Sequence, residues 1–304
     1  MQRGIGSAAS GAATLRRLSD LYDPNGVFEV RSRDLEYRND STGSYLARVH
    51  EPVGAGPFPA ILEVHGGAWN HYDRFQNEPQ NQILAASGIV VVAVEFRLGA
   101  EGKYPKSIAD VNYAARWLKH RAGDFNAVSD GIGSIGYSSG GHMAMLVAMK
   151  PHDPRYAEIP YDAAPEIDAS LAYVIMPWPP IDPLARYRYS QGINRESMLD
   201  NHHAYWGDEA AMADGNPQMI LDRGEKVELP PTLILQGSED VILGPGLAER
   251  FTPAYAQAGG LVELAMYPGV GHGFMREPGP TADRAMALTK SFIARQFQAI
   301  DASR

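Results

Sequence analysis

The glycine-rich stretch Gly136 to Gly141 restricts the fold of this chain more than any other segment. It follows a short apolar run, Ile132 to Ile135, and it precedes a helical pattern that ends at Lys150-Pro151, where proline cannot continue a helix. Glycines two positions before and two positions after Ser138 form a G-x-S-x-G pattern, in which the serine has a cramped backbone between a strand and a helix. The pattern predicts a strand–turn–helix unit with Ser138 at its tip. A glycine-rich turn without chemistry is the alternative for the motif taken alone.

Short, nearly continuous apolar runs alternate with helical patterns along most of the chain, which is typical of a buried parallel sheet flanked by helices. Two partly alternating segments, Val27 to Arg38 and Tyr45 to Glu51, predict an antiparallel strand pair that comes before them. The later predicted strands are residues 60–64, 89–94, 132–135, 171–176, 232–235 and 261–267. The fold class predicted from this order is α/β.

The chain is interpreted as a single domain over residues 1–304 with two additions. In residues 1–26, a weak helical spacing of Leu15, Leu18 and Leu21 predicts an N-terminal arm or cap helix. From Pro177 to about Leu229 the strand and helix patterns lapse, and the segment is rich in proline, tryptophan and tyrosine. A long irregular segment inside a compact domain is usually functional, so residues 177–229 are predicted to form a lid or cap insertion.

Composition excludes several classes of function. The formal net charge is −9 and no block of lysine or arginine stands out, so a nucleic-acid or anionic-membrane partner is not expected. The chain has no cysteine, which excludes disulfides, thiolate catalysis and cysteine-ligated metals. Met1 to Ala13 shows no continuous apolar region of a secretory signal, and the longest apolar runs are too short to cross a bilayer. We expect a cytoplasmic protein.

Two further loops supply the partners that a serine nucleophile needs. A serine hydroxyl is weak unless a general base takes its proton, and that base must be oriented by an acid. Asp240 follows the strand at 232–235, and His272 follows the strand at 261–267 between two glycines that expose it. Both lie at carboxyl ends of predicted strands, the same edge as Ser138. Asp240 is the candidate acid and His272 the candidate base, with Glu239 as the alternative acid and helix capping as the alternative role of Asp240.

A second glycine turn lies upstream. His65-Gly66-Gly67-Ala68 follows the strand at 60–64, and backbone N–H groups in such a turn can point at a developing oxyanion without obstruction by side chains. The predicted oxyanion hole consists of the N–H groups of Gly66, Gly67 and Ser139. A tight strand-to-helix turn without chemistry is the alternative.

Together these motifs resemble the α/β-hydrolase superfamily, and within it the hormone-sensitive-lipase-like esterases and the related acetyl-esterase and arylformamidase groups. The resemblance covers about residues 45–300. It implies an eight-stranded, mostly parallel sheet, a serine esterase mechanism and no cofactor or metal. Ala68-Trp69 in place of a third glycine, and Tyr137 and Ser139 on either side of the serine, favour the acetyl-esterase and formamidase groups. Arg97 and Asp110 are interpreted as structural.

The expected substrate is a small to medium ester with an apolar or aromatic group, because aromatic residues are concentrated near the motifs and in the lid segment. Packing of the lid onto the sheet is the alternative role for these aromatics. His202 and His203 are interpreted as lid or pocket residues. The predicted pocket residues are Trp69, Tyr137, Trp178, Tyr205 and Trp206.

Two other functions remain open. An amide-type hydrolase such as an arylformamidase would use the same triad, and a non-catalytic ligand-binding protein could use the same fold. The partner expected is a small-molecule acyl substrate, with a homodimer as an open option.

Overall fold

A computed structural model describes residues 17–304 of the chain; Leu15 and the segment from Met1 to Ala13 lie outside this range. In the described part, eight strands form one sheet in the order β1-β2-β4-β3-β5-β6-β7-β8. The strands are β1 Val30–Asp40, β2 Gly43–Pro52, β3 Ala60–Val64, β4 Val90–Val94, β5 Gly133–Gly136, β6 Val174–Pro177, β7 Thr232–Gly237 and β8 Val262–Tyr267.

Strand β2 is antiparallel to both of its neighbours, and every other pair from β4 to β8 is parallel. Every residue of β3 and β4 is buried, because helices cover both faces of the sheet at its centre. This explains why their sequences do not alternate and are apolar throughout, apart from Glu63 in β3. The sheet confirms the predicted eight-stranded, mostly parallel α/β architecture.

Ten α-helices connect the strands of the described part, and a short 3₁₀ helix covers Ala122–Phe125. The first four are α1 Leu18–Leu21, α2 Glu78–Ala85, α3 Lys106–Arg121 and α4 Ser139–Met149. The next four are α5 Pro183–Gly192, α6 Glu196–Trp206, α7 Glu209–Asp214 and α8 Pro217–Asp222. The last two are α9 Leu247–Gln257 and α10 Pro280–Ala302. Among residues 17–304, no helix combines the length and the apolar character needed to cross a bilayer.

The described part of the N-terminal segment is an arm attached to the last helix. The N–H groups of Leu18 and Ser19 donate to the two carboxylate oxygens of Asp301 at 2.9 and 2.8 Å. Leu18 is buried in the core. Helix α1 therefore begins on α10, where Asp301 satisfies the N–H groups that its first turn leaves free.

The expectation that residues 177–229 are irregular is wrong, because the segment contains the four helices α5 to α8. Three of these helices begin at a capping side chain: Asp182, Asp208 and Asn216 accept the N–H of the third residue of their helices at 2.8 to 3.1 Å. Proline occupies the first turn of α5 and of α8, where a missing N–H costs nothing. Local caps therefore start these three helices, although the helices are too short to show a clear apolar periodicity in the sequence.

Two buried carboxylates are held in different ways. Asp110 on α3 accepts hydrogen bonds from Arg97 and Arg38, so its charge is balanced inside the protein. Among the described residues, Glu63 on β3 accepts hydrogen bonds only from the side-chain amides of Asn77, at 2.8 Å, and Asn81, at 3.4 Å. Burial raises the pKa of Glu63 to about 7, because the hydrogen bonds from the two asparagine amides only partly offset the loss of hydration of the charged carboxylate.

Candidate active site

Ser138 lies in the turn between β5 and α4 with a strained backbone, φ 51° and ψ −123°. A β-carbon on Gly136 would lie 2.5 Å from the carbonyl oxygen of Gly140, and one on Gly140 would lie 2.0 Å from the carbonyl oxygen of Val64. Both distances are far below van der Waals contact, so only glycine fits at either position. The strained turn is sterically possible only with these glycines, and a conformation of this kind is typical of a functional site.

The three predicted triad residues come together. Ser138 Oγ is 3.0 Å from His272 Nε2, and His272 Nδ1 is 2.8 Å from Asp240 Oδ2. Asp240 follows β7 and His272 follows β8, so the parallel sheet brings both loops to the edge at which β5 ends. Since Nδ1–H of His272 donates a hydrogen bond to Asp240, Nε2 is left as the acceptor for the serine hydroxyl.

The electrostatics of the pair suit proton transfer from serine. Burial lowers the pKa of His272 below its usual 6.5, and the adjacent Asp240 only partly opposes this, so the imidazole is neutral at neutral pH. Burial acts to raise the pKa of Asp240, but the interactions with His272, Gln236 and the N–H of Ile242 together outweigh it, and the net pKa is lowered. Asp240 is thus ionised at neutral pH, where the imidazole of His272 is neutral.

Asp240 is fixed by more than the histidine. Its Oδ2 also accepts the side-chain amide of Gln236 at 3.0 Å, and its Oδ1 accepts the N–H groups of Ile242 and Leu243 at 3.0 and 3.2 Å. The sequence analysis missed the role of Gln236. Of the two acids in the loop Gly237-Ser238-Glu239-Asp240, it is Asp240 that is hydrogen-bonded to His272, so the alternative Glu239 is not the histidine's partner in the structure.

The predicted oxyanion donors lie against the serine. A β-carbon on Gly66 would be 3.2 Å from Cβ of Ser138, and Ser139 begins α4 directly after the nucleophile. In the described part of the chain, the N–H groups of Gly66, Gly67 and Ser139 donate to no protein acceptor. Free N–H groups beside the serine and at a helix N-terminus are suited to stabilise negative charge.

A hydroxyl and an imidazole join the two glycine-rich turns. The backbone N–H of Trp69 donates to Ser139 Oγ at 3.1 Å, and the indole N–H of Trp69 donates to His142 Nδ1 at 3.2 Å. The other nitrogen of His142, Nε2, donates to the carbonyl of Gly215 in the lid segment at 2.8 Å. Burial lowers the pKa of His142 to about 4, so it stays neutral and keeps this bonding pattern.

The five predicted pocket aromatics are all buried, each with at most 4% of its surface exposed. Trp69 stacks on Tyr205 with ring centroids 5.3 Å apart, and Trp206 meets Trp69 edge-on at 5.5 Å. Tyr137 packs on Trp178 at 5.8 Å. In this conformation they form a packed layer between the sheet and the lid helices, and their role as pocket walls stays a prediction.

His202 and His203 lie on α6 and form hydrogen bonds within the segment 177–229. His202 Nδ1 is 2.8 Å from the carbonyl of Met198, and His203 Nε2 is 2.9 Å from the hydroxyl of Tyr187. Neither is hydrogen-bonded to Ser138 in the structure, which fits their interpretation as lid residues.

Gln76 is a polar group near the serine that sequence reasoning missed. Its Oε1 lies 3.5 Å from the position of a β-carbon on Gly66. Both polar atoms of this amide are buried and have no hydrogen-bond partner among residues 17–304. A glutamine in a loop carries no sequence signal for such a position.

Comparisons with known proteins identify a family and a fold for this chain. The family described as BD-FAE matches residues 49–252. Esterase LipC of Mycobacterium tuberculosis is 29% identical over 253 residues, which are 79% of this chain and 59% of LipC. The chain therefore spans less than two thirds of the length of this relative.

Solved structures show the same fold. Thermogutta terrifontis esterase 2, phosphorylated by paraoxon, superposes with a TM-score of 0.70 at 21% identity, covering 87% of this chain and 94% of that one. The thermophilic carboxylesterase EstE1 from a metagenomic library superposes with a TM-score of 0.72 at 22% identity, covering 92% of each chain.

Proposed function

Because the chain belongs to the BD-FAE family of α/β-hydrolases, we propose that it is a serine carboxylic-ester hydrolase that acts through an acyl-enzyme. The observation that carries the proposal is the continuous hydrogen-bonded series from Ser138 through His272 to Asp240, beside N–H groups that no acceptor in residues 17–304 uses. The esterase activity named for the relative LipC supports it.

The proposed reaction begins when an ester carbonyl lies against Ser138. His272 Nε2 takes the hydroxyl proton as Oγ attacks the carbonyl carbon, and Asp240 stabilises the imidazolium that forms. The N–H groups of Gly66, Gly67 and Ser139 stabilise the oxyanion. His272 then gives its proton to the leaving alcohol, and a water molecule repeats the sequence on the acyl-enzyme.

We propose that residues 177–229 act as a lid over this site. The lid helices touch the catalytic elements through Gly215, bonded to His142, and through the aromatic layer around Trp69. A small to medium ester with an apolar or aromatic group fits such surroundings. The cytoplasmic location, the homodimer and the lack of nucleic-acid or membrane partners stay predictions from the sequence.

Replacement of the nucleophile tests the proposal. Ser138→Ala is expected to abolish hydrolysis of 4-nitrophenyl butyrate and labelling by a serine-directed phosphonate, while far-UV circular dichroism and the melting temperature are retained. Near-native turnover by this variant would refute the assignment. An N-formyl aniline measured in parallel distinguishes an amide-type hydrolase, and absence of both labelling and turnover in the wild type would favour a ligand-binding protein.

A further inference from the structure

Arg186, on the lid helix α5, is a buried cation that forms no salt bridge with any carboxylate in the described part of the chain. Its side chain is almost completely buried, with 2% of the residue surface exposed. Its Nε donates to the carbonyl of Ile242 at 3.3 Å, and its Nη2 is 2.8 Å from the thioether sulfur of Met198. Its Nη1 has no hydrogen-bond partner among the described residues. Burial of a guanidinium against neutral groups is costly, and such groups are normally paired with a carboxylate.

Arg186 packs against two segments that carry predicted catalytic groups. Its guanidinium lies 5.4 Å from the ring of Trp69, which continues the turn that carries Gly66 and Gly67. Its acceptor Ile242 is two residues after Asp240 and is bonded to that carboxylate through its own N–H. Arg186 therefore contacts both Trp69, at the end of the predicted oxyanion turn, and Ile242, in the loop that carries Asp240.

Two more arginines without a carboxylate partner lie nearby. Arg195 Nη1 donates to the carbonyl of Val241, at 3.0 Å, in the same loop. Arg276 is exposed, and its side-chain atoms lie 3.4 to 3.6 Å from the position of a β-carbon on Gly273, the residue after His272. In residues 17–304, fourteen arginines lie within 4.0 Å of a carboxylate, and these three are among the five that do not; the other two are Arg116 and Arg284.

The charges of Arg186 and Arg276 both reach the catalytic histidine, because each contributes to the lowered pKa of His272. The pKa of Arg186 is lowered to about 10 by burial, so it is still charged at neutral pH. The nearby anion Asp240 is occupied by His272, Gln236 and two N–H groups, and it forms no hydrogen bond with either arginine. Positive charge thus faces the site in a chain whose net charge is −9.

From this arrangement we propose that the site binds esters that carry a carboxylate, with Arg186 as the group that pairs with that carboxylate and Arg276 as a cation at the rim. The proposal rests on the proposed esterase function and adds the substrate class. A planar guanidinium with one free nitrogen and a second held only by a thioether is suited to a two-point contact with a carboxylate. Met198 is only half-buried and methionine is flexible, so its side chain can give way to the incoming anion.

The test compares esters that differ only in charge. One pair is the mono-4-nitrophenyl ester of adipic acid, which has a free carboxylate, and the same 4-nitrophenyl ester with the other carboxyl methylated. This pair places the carboxylate on the acyl side. The other pair is 4-(2-carboxyethyl)phenyl butyrate and its methyl ester, which places it on the alcohol side, with two methylenes between the charge and the reacting phenol. Rates are corrected for uncatalysed hydrolysis, and the charged-to-neutral ratio of kcat/KM is measured at low salt and at 0.5 M salt.

The wild type is expected to prefer the charged member of at least one pair, and salt is expected to reduce the preference. Arg186→Met should lower the ratio by about tenfold, in keeping with loss of a charge-assisted hydrogen bond. The exposed Arg276→Gln should lower it by about two- to threefold. If Arg186→Met does not fold, as judged by its melting curve, Arg276→Gln decides the question.

Matched controls remove a charge elsewhere. Arg188→Gln removes an exposed arginine two residues from Arg186 on the same helix, and Arg284→Gln removes an exposed arginine of α10. Both should leave the ratio unchanged. No preference in either pair, or a preference that neither Arg186→Met nor Arg276→Gln reduces, would overturn the carboxylate site. Hydrolysis of none of these four esters, nor of 4-nitrophenyl butyrate, would instead refute the esterase proposal.

Discussion

Replacement of Glu63 by glutamine should make the protein more stable, and the gain should grow with pH. Glu63 is the fourth of the five residues of the central strand β3 and is fully buried, and in the described part of the chain only the amides of Asn77 and Asn81 donate to it. The side-chain oxygens of both asparagines lack a hydrogen-bond donor among the described residues. A glutamine at position 63 can keep the shape of the side chain and donate to one of these oxygens.

The magnitude follows from the pKa of Glu63, which burial raises from 4.5 to about 7. Below pH 4.5 the carboxyl is protonated in the folded and unfolded chains, so its full contribution to stability is present. Between 4.5 and 7 only the unfolded chain ionises, so the free energy of unfolding falls as pH rises. Above about 7 the loss levels off at about 3 kcal/mol, at about 1.4 kcal/mol for each pKa unit. Glu63→Gln does not titrate and avoids this loss.

The assay is unfolding of both proteins by urea, with melting temperatures in parallel, from pH 5 to pH 8.5. The advantage of Glu63→Gln in free energy of unfolding should grow by about 2 to 3 kcal/mol over this range. Near pH 8.5 the melting temperature should be higher by about 5 °C, taking about 2.1 cal/mol/K of unfolding entropy per residue. The exposed Glu101→Gln serves as control and should show no such trend. A difference between wild type and Glu63→Gln that does not depend on pH would refute the reasoning.

Two further predictions concern the catalytic pair. Asp240→Asn should lower kcat by about 10³- to 10⁴-fold with little change in KM, because the amide no longer holds the proton on Nδ1 of His272; steady-state kinetics check this, and a loss below tenfold would contradict the role of Asp240. The acidic limb of the kcat/KM profile should have its midpoint below pH 6.5, because burial lowers the pKa of His272 and the reaction needs the neutral imidazole; a midpoint above 6.5 would show that another group controls it.

The sheet and the triad could be predicted from the sequence because their signals are local and strong. Several buried parallel strands are largely apolar runs, such as Val90–Val94, since both faces are covered. The glycines at 136 and 140 have no permitted substitute in the turn, so the motif itself carries the geometry. Loops at the carboxyl ends of parallel strands meet at one edge, which brings Asp240 and His272 to Ser138 without any further information.

The lid could not be predicted equally well. Its helices are six to eleven residues long, too short for a clear period, and the caps at Asp182, Asp208 and Asn216 were the signals that would have located three of them. The burial of Trp69 and Trp206 depends on how α6 packs on the sheet, which is a tertiary contact with no local signal.

The bond between the backbone of Trp69 and the hydroxyl of Ser139 joins two segments that are 70 residues apart in the chain. One hydroxyl thereby sets the spacing between N–H groups that come from different strands. The two segments therefore depend on each other. A serine loop taken from a relative with alanine after its serine would lack the hydroxyl that accepts the N–H of Trp69. In chimeras of this chain with its relatives, Trp69 and Ser139 should therefore be exchanged together and not one at a time.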